Sequence, residues 1–229
     1  EAMFDLCQSI AEEEFLPCAG KLDANEPQFV NGEVETIPEV KQAISAFKQA
    51  GLCASGYDAD IGGMQLPWMV DQALNGMFVC ANNPIHIYLF LTQGVANMLN
   101  VCGSAELKNK YLSPLVEGDW FGTMCLSEPQ AGSSLADITT KAEPQGDGSY
   151  KISGTKMWIS GGEQDLSDNI IHMVLAKVPG GPAGVKGISL FLVPKIRVND
   201  DGSLAERNNV ALAGLNHKMG CRGATNTLL

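Results

Sequence analysis

The residues best suited to chemistry fall in two short segments. The first is Cys125-Leu126-Ser127-Glu128-Pro129-Gln130-Ala131-Gly132-Ser133-Ser134; the second, about thirty residues later, is Gly154-Thr155-Lys156-Met157-Trp158-Ile159-Ser160-Gly161-Gly162. Gly132 raises no side-chain barrier, so consecutive amides around it can form an anion-binding nest. The second segment sets an aromatic ring and a hydroxyl two residues apart. On an extended strand Trp158 and Ser160 would project from one face, the indole covering a flat ligand and the hydroxyl bonding it. Together the segments describe a site for a planar, phosphate-bearing molecule. Each half has a plainer reading alone, since a Gly-Ser pair after proline is usually a turn and a strand tryptophan is usually core. Order and spacing taken together favour the site.

Other candidate groups are weaker. A glutamate before proline, as at Glu128, is ordinarily a cap or a solvated charge, and a base must reach its proton before its pKa matters. The three histidines, His86, His172 and His217, lack ligand spacing, so each reads as a core or surface residue and no metal site is expected. Seven cysteines occur without a Cys-x-x-Cys pair and in odd number, which suits buried thiols of a reducing compartment better than a disulfide framework.

The elements that position the two segments fall into two halves. Phe4, Leu6, Ile10 and Leu16, then Ile37, Val40, Ala43, Ile44 and Phe47, recur at helical spacing, and Gly51 suits a helix C-terminus. A glycine-rich loop spans Tyr57 to Pro67. Trp68 to Cys80 and Pro84 to Cys102 follow as two apolar helical stretches, the second opened by Pro84. Ser104 caps a short helix to Leu112. From Phe121 the texture changes to short β-rich runs, at Tyr150 to Ile152, Met157 to Ile159, Ile170 to Val178 and Ile188 to Val193, separated by Gly-Asp-Gly, Gly-Gly-Glu and Pro-Gly-Gly-Pro turns. The expected fold is α+β: a helical bundle domain over 1–119, then an antiparallel β-barrel domain over 120–229.

Composition bounds the partners. A formal charge of −11, with no Lys/Arg cluster, argues against a nucleic-acid partner. The longest apolar candidate, the broken stretch from Ile85 to Leu91, is too short to cross a bilayer, and no basic n-region with a cleavage site opens the chain. The expectation is a soluble, cytoplasmic protein.

The two motifs, with the loop Gly56-Tyr57-Asp58-Ala59-Asp60-Ile61-Gly62-Gly63 and the segment His217-Lys218-Met219-Gly220-Cys221-Arg222-Gly223, resemble the acyl-CoA dehydrogenase family through most of the chain. Glu-Pro-Gln, the run Gly187 to Lys195 and His-Lys-Met-Gly look most like the 3-methylmercaptopropionyl-CoA dehydrogenase branch. The resemblance implies FAD as cofactor and an acyl-CoA as substrate, oxidised to a trans-2-enoyl-CoA by loss of the α-proton to a base and of a hydride to flavin N5. Met124, Leu126 and Ser127 match positions at the flavin ring edge, Gly132 and Ser133 positions near the FAD pyrophosphate and the CoA ester, and Trp158, Ile159 and Ser160 positions against the isoalloxazine. The helix from Pro84 becomes the acyl-pocket wall, with His86, Phe90 and Gly94 at spacing four on one face; for Phe90 core packing is the equal or better reading. Departures are Ser134 for the usual acid and Ser160-Gly161-Gly162 for the usual Thr-Asn-Gly.

The resemblance further implies an electron-transfer flavoprotein as acceptor and a homo-oligomeric full-length enzyme. No carboxylate here matches the family's base, so the base is expected in a C-terminal helical domain outside this chain, and the 229 residues alone are expected to be inactive. Two alternatives share the motifs or the fold: an acyl-CoA oxidase or flavin monooxygenase relative, and a flavin-free binding module.

Overall fold

Apolar residues at three- and four-residue spacing do build helices over the first half. The computed structural model describes residues Glu1 to Leu229. Its elements run α1 (Ala2–Ile10), a π-helical turn (Ala11–Phe15), α2 (Ala19–Ala24), β1 (Gln28–Val30), β2 (Glu33–Glu35), α3 (Pro38–Gln49), α4 (Trp68–Cys102) and α5 (Ala105–Val116). There follow β3 (Trp120–Cys125), β4 (Lys141–Pro144), β5 (Tyr150–Ser153), β6 (Ile159–Ser160), β7 (Asn169–Lys177), β8 (Ile188–Pro194), β9 (Ile196–Val198), β10 (Leu204–Arg207), β11 (Gly214–Leu215) and β12 (Asn226–Leu228). Gly51 follows α3 with φ 72°, the left-handed turn glycine makes freely. Ser104 Oγ accepts the Leu107 amide at 3.3 Å, and α5 runs past Leu112 to Val116.

The two apolar stretches on either side of Pro84 are limbs of one long element. Asn82 has φ −161° and ψ 86°, because Pro84 offers no amide to the turn before it. Asn82 then starts the second limb: its Oδ1 accepts the Ile85 amide at 3.4 Å, while its Nδ2 donates to the Phe15 carbonyl at 3.0 Å. One sequence expectation is overturned here, for α4 is long and apolar enough to cross a membrane by length and composition. Its apolar residues are interrupted by polar ones, so no single run reveals it. Leu74, Phe78, Ile85, Tyr88, Leu89, Val95 and Leu99 are buried against the rest of the protein.

Two cores hold the halves together. In the first, Phe78 packs against Phe15 and Phe47 with ring centroids 4.9 and 4.8 Å apart, and Phe121 of β3 joins the same cluster. The second spans Val95, Leu99 and Leu115 of the helices and Trp120, Ile171 and Met173 of the strands. Gly122 is the close approach between them, since a Cβ there would sit 2.6 Å from that of Val95. Thr92 Oγ1 accepts the Gly122 amide at 3.0 Å and donates to the Tyr88 carbonyl at 2.7 Å.

The β half follows the helical half as expected, with one difference in its pairing. β4 with β5 and β7 with β8 are antiparallel, but β3 runs parallel to β7, and β4 meets β7 in parallel at the Lys141–Lys177 pair. The long excursion between β3 and β7 is the crossover that a parallel pair requires. β6, β12 and β11 form a separate three-stranded sheet, and β9 with β10 and β1 with β2 form hairpins. Met157, expected in a strand, lies outside one. Of the cysteines, Cys7, Cys18, Cys53 and Cys125 are buried, whereas Cys80 and Cys102 are exposed, against the expectation of buried thiols.

Candidate functional site

β3 delivers the first motif and Glu128 anchors it. The Glu128 carboxylate is buried and accepts from the Thr139 amide (2.6 Å) and hydroxyl (2.9 Å), the Thr140 amide (3.0 Å) and hydroxyl (2.5 Å), Gln130 Nε2 (2.7 Å) and Lys156 Nζ (2.9 Å). Burial alone would raise this carboxyl; the Thr140 hydroxyl, the two amides and the Lys156 ammonium outweigh it and hold it well below the usual carboxylate range. So engaged, Glu128 is a structural residue, as its place before a proline suggests. Glu128 and Ala131 also exchange backbone bonds at 2.7 and 3.0 Å, closing the turn that presents Gly132.

Lys156 is the residue that sequence reasoning missed. Besides Glu128 it donates to the Leu126 carbonyl at 3.0 Å, and the Met157 amide donates to the Ser127 carbonyl at 2.9 Å. These bonds hold the two motifs side by side. Its only sequence signal was a lysine inside an apolar motif.

Beyond the anchor the backbone opens. Gly132, Ser133 and Ser134 are exposed, space around the Gly132 α-carbon is clear, and the amides of all three donate to nothing within the chain. Ser134 Oγ turns to Asp137 at 2.6 Å. Free amides in series suit an anion.

The second motif needs a correction. Trp158 and Ser160 do not share an extended strand, because Trp158 has φ 64° and β6 begins only at Ile159. A left-handed conformation is costly for so large a residue and is typical of functional sites. The indole is 45% exposed and Ser160 is half-buried, so both remain accessible. Ile159 points into the core with Cys125 and Val174, leaving only its backbone for a ligand. Met124, Leu126 and Ser127 are half-buried along the end of β3.

On α4 the expected row separates. His86 is 2% exposed, and its Nε2 lies 2.9 Å from Asn75 Oδ1, whose Nδ2 donates to Asp71. With Oδ1 the acceptor, Nε2 carries the proton. Burial lowers the His86 pKa to about 4 against the opposing pull of Asp71. Phe90 is not core but 59% exposed, and Gly94 is exposed with open space around it. Four residues exceed one helical turn, so a row at spacing four winds from the buried side at His86 to the open side at Gly94.

A second buried carboxylate is committed elsewhere. Glu163 is buried between Lys195 and Arg207, whose Nη2 lies 2.7 Å away. Asp165 is exposed.

Comparison with known proteins identifies the family and the fold. Residues 1–119 match the family described as acyl-CoA dehydrogenase, N-terminal domain, and residues 123–228 match acyl-CoA dehydrogenase, middle domain. The chain is 40% identical over 207 residues to the 3-methylmercaptopropionyl-CoA dehydrogenase of Ruegeria pomeroyi, an alignment covering 90% of this chain and 35% of that protein. It is 36% identical over 228 residues to a butyryl-CoA dehydrogenase of Syntrophomonas wolfei, covering 97% of this chain and 36% of the other. The crystal structure of an acyl-CoA dehydrogenase complexed with FAD from Bacillus anthracis superposes with TM-score 0.76 at 22% identity, over 100% of this chain and 34% of that one. The chain thus spans about a third of the length of these relatives.

Proposed function

The chain belongs to the acyl-CoA dehydrogenase family, and from that premise we propose that it carries the flavin-facing part of an FAD-dependent enzyme that oxidises an acyl-CoA thioester to the trans-2-enoyl-CoA. The observation that carries this reading is the run of unbonded amides at Gly132–Ser134, held beside an exposed, left-handed Trp158 by the Glu128–Lys156 pair. These residues fit a dinucleotide flavin: the amides and the Ser133 hydroxyl suit its pyrophosphate or the CoA ester, and the indole suits a flat ring. Bound FAD supplies the two-electron acceptor.

The chain's own work is positioning. Met124, Leu126 and Ser127 line the ring edge, Ser160 offers its hydroxyl and Ile159 its backbone, and Phe90 with Gly94 forms the open wall toward the acyl chain. His86 serves that wall from behind, neutral and hydrogen-bonded. Glu128 and Glu163 are engaged, so neither is free to take the α-proton. An electron-transfer flavoprotein is the proposed acceptor, and the whole enzyme is proposed to be a homo-oligomer.

FAD titration tests this reading by indole fluorescence. Emission should fall as FAD binds, and a Trp158→Phe variant should lose most of that fall; an equal fall in the variant, with Trp68 and Trp120 remaining, overturns the assignment. Ser133→Ala should weaken FAD or acyl-CoA about tenfold or more, since bonds to charged groups are the strong ones. In the full-length enzyme, failure to oxidise any of short, medium or methylthio-substituted acyl-CoAs with a dye acceptor would overturn the activity.

A further inference from the structure

Asn-Gly occurs twice in the chain, at Asn31-Gly32 and at Asn75-Gly76, and the fold treats the two pairs in opposite ways. An asparagine before glycine carries both an electrophile and a nucleophile. Its side-chain carbonyl carbon is one ring closure away from the next backbone nitrogen, and glycine puts no side chain in the path. What decides whether that ring closes is how firmly each partner is held.

Asn75 and Gly76 are held. They lie inside α4, so the Gly76 amide belongs to the helical ladder. The buried Asn75 side chain donates through Nδ2 to the Asp71 carbonyl at 3.0 Å and to Asp71 Oδ2 at 3.3 Å, and its Oδ1 accepts from His86 Nε2 at 2.9 Å. Asn31 and Gly32 are free. They form the turn between β1 and β2, both exposed, with φ 52° and 90°. The Gly32 amide donates to nothing within the chain, and no atom lies within 4 Å of where a Cβ on Gly32 would stand. The hairpin pairs only Gln28 to Val30 with Glu33 to Glu35 and forms a sheet of its own, the kind of unit that opens locally at low cost. Opening lets the Asn31 backbone leave its turn conformation, so that the Gly32 nitrogen can reach the side-chain carbon.

We propose that Asn31 is a site of spontaneous deamidation and that Asn75, with the same following residue, is protected by the fold. The Gly32 nitrogen bonds to the Asn31 side-chain carbon and gives up its proton, the bond from that carbon to Nδ2 breaks, and ammonia leaves with the proton. Water then opens the resulting succinimide at either carbonyl. Water is consumed and ammonia released, with nothing oxidised or reduced. Opening at one carbonyl gives aspartate, which like asparagine tolerates the left-handed turn. Opening at the other gives isoaspartate, which runs the main chain through Cβ and lengthens the turn. Either product adds a carboxylate to a hairpin that already carries Glu33 and Glu35. The isoaspartyl turn no longer matches the tight geometry that sets Phe29 opposite Val34, the buried residue of the hairpin. None of this chemistry involves a flavin or an acyl-CoA.

The test is to incubate the native protein in neutral heavy-oxygen water, digest it at intervals in ordinary water, and weigh the peptides that hold Asn31 and Asn75 by mass spectrometry. The Asn31 peptide should take up heavy oxygen at least about tenfold faster than the Asn75 peptide, a ratio set by the difference in local opening. Its isoaspartyl fraction should become a substrate for an isoaspartyl methyltransferase. In urea, where neither pair is held, the two rates should converge. An Asn31 that keeps its amide in the native state while losing it in urea, or equal rates at the two asparagines in the native state, overturns the proposal. Rates that stay apart in urea also overturn it, since neighbouring sequence and not the fold would then protect Asn75.

Discussion

Two buried polar sites flank β6 and are built in opposite ways. On one side, Glu128 and Lys156 form an ion pair in which the carboxylate takes six hydrogen bonds and the ammonium a further carbonyl. On the other, Asn226 is as deeply buried and bonds nothing through its side chain. A fully satisfied buried network fixes backbone, and its worth shows when one partner is removed. An unsatisfied one costs stability until something else completes it. The first is scaffold, and the second carries an uncompensated desolvation cost.

The sharpest way to break this contrast is to truncate one residue on each side. Lys156→Met strands the Glu128 carboxylate and should lower stability by about 3 to 5 kcal/mol in chemical denaturation. Asn226→Leu should be neutral or stabilising, because it replaces unpaired polar atoms with apolar ones. Similar losses in both would erase the distinction.

Titration extends the comparison, since the buried carboxylate keeps its charge amid donors whereas the buried imidazoles lack any carboxylate partner and stay neutral. Burial lowers His86 to about 4 and, with Lys195 and Arg207 adding to it, His172 to about 3. The unfolded chain takes up those protons near pH 6.5. Stability is therefore full above that value and is lost as pH falls toward 4. Between pH 7.5 and 5 the loss should be roughly 3 to 4 kcal/mol in total, about 1.4 kcal/mol per unit for each histidine. Glu128, with its lowered pKa, contributes its own loss only below about pH 4. A flat denaturation midpoint over this range would show that the imidazoles are not neutral by burial.

A smaller effect tests the scaffold where α4 meets β3. Gly122→Ala places a methyl against Val95 and should cost about 1 to 3 kcal/mol, with the thermal midpoint as the measure. The smallest tests the ligand side again: Trp158→Asn puts a residue that tolerates the left-handed region where φ is 64°. Stability should change by no more than about 1 kcal/mol, or rise, while FAD binding is lost. A large destabilisation would make the indole scaffold after all.

Much of this arrangement was legible in the sequence, because helices and their ends are local events. The spacing of Val40, Ala43, Ile44 and Phe47 marks α3, Gly51 and Ser104 mark boundaries, and Pro84 marks the break at Asn82, each by a rule acting within one turn. The runs of β7 and β8 are equally plain. The β1–β2 hairpin went unread although Asn31-Gly32, at φ 52° and 90°, is the turn pair that announces one. What the sequence could not yield was set at long range. The parallel pairing of β3 with β7, the left-handed Trp158 beside Ser127 and the unpaired Asn226 all depend on neighbours far along the chain.

The pairing of β6 with β12 also bears on when the site comes into being. Thr227 bonds the Ile159 carbonyl across 68 residues, and Lys156 and Leu229 exchange backbone bonds at 2.8 Å. During synthesis, therefore, the helices can collapse on contacts closer in sequence, while the second motif acquires its flanking strand only once residues 226–229 have emerged. Contacts of such separation are slow to form. A nascent chain halted before them would bury the phenylalanine cluster yet have no completed seat for a cofactor, which places ligand capture after collapse of the helical core.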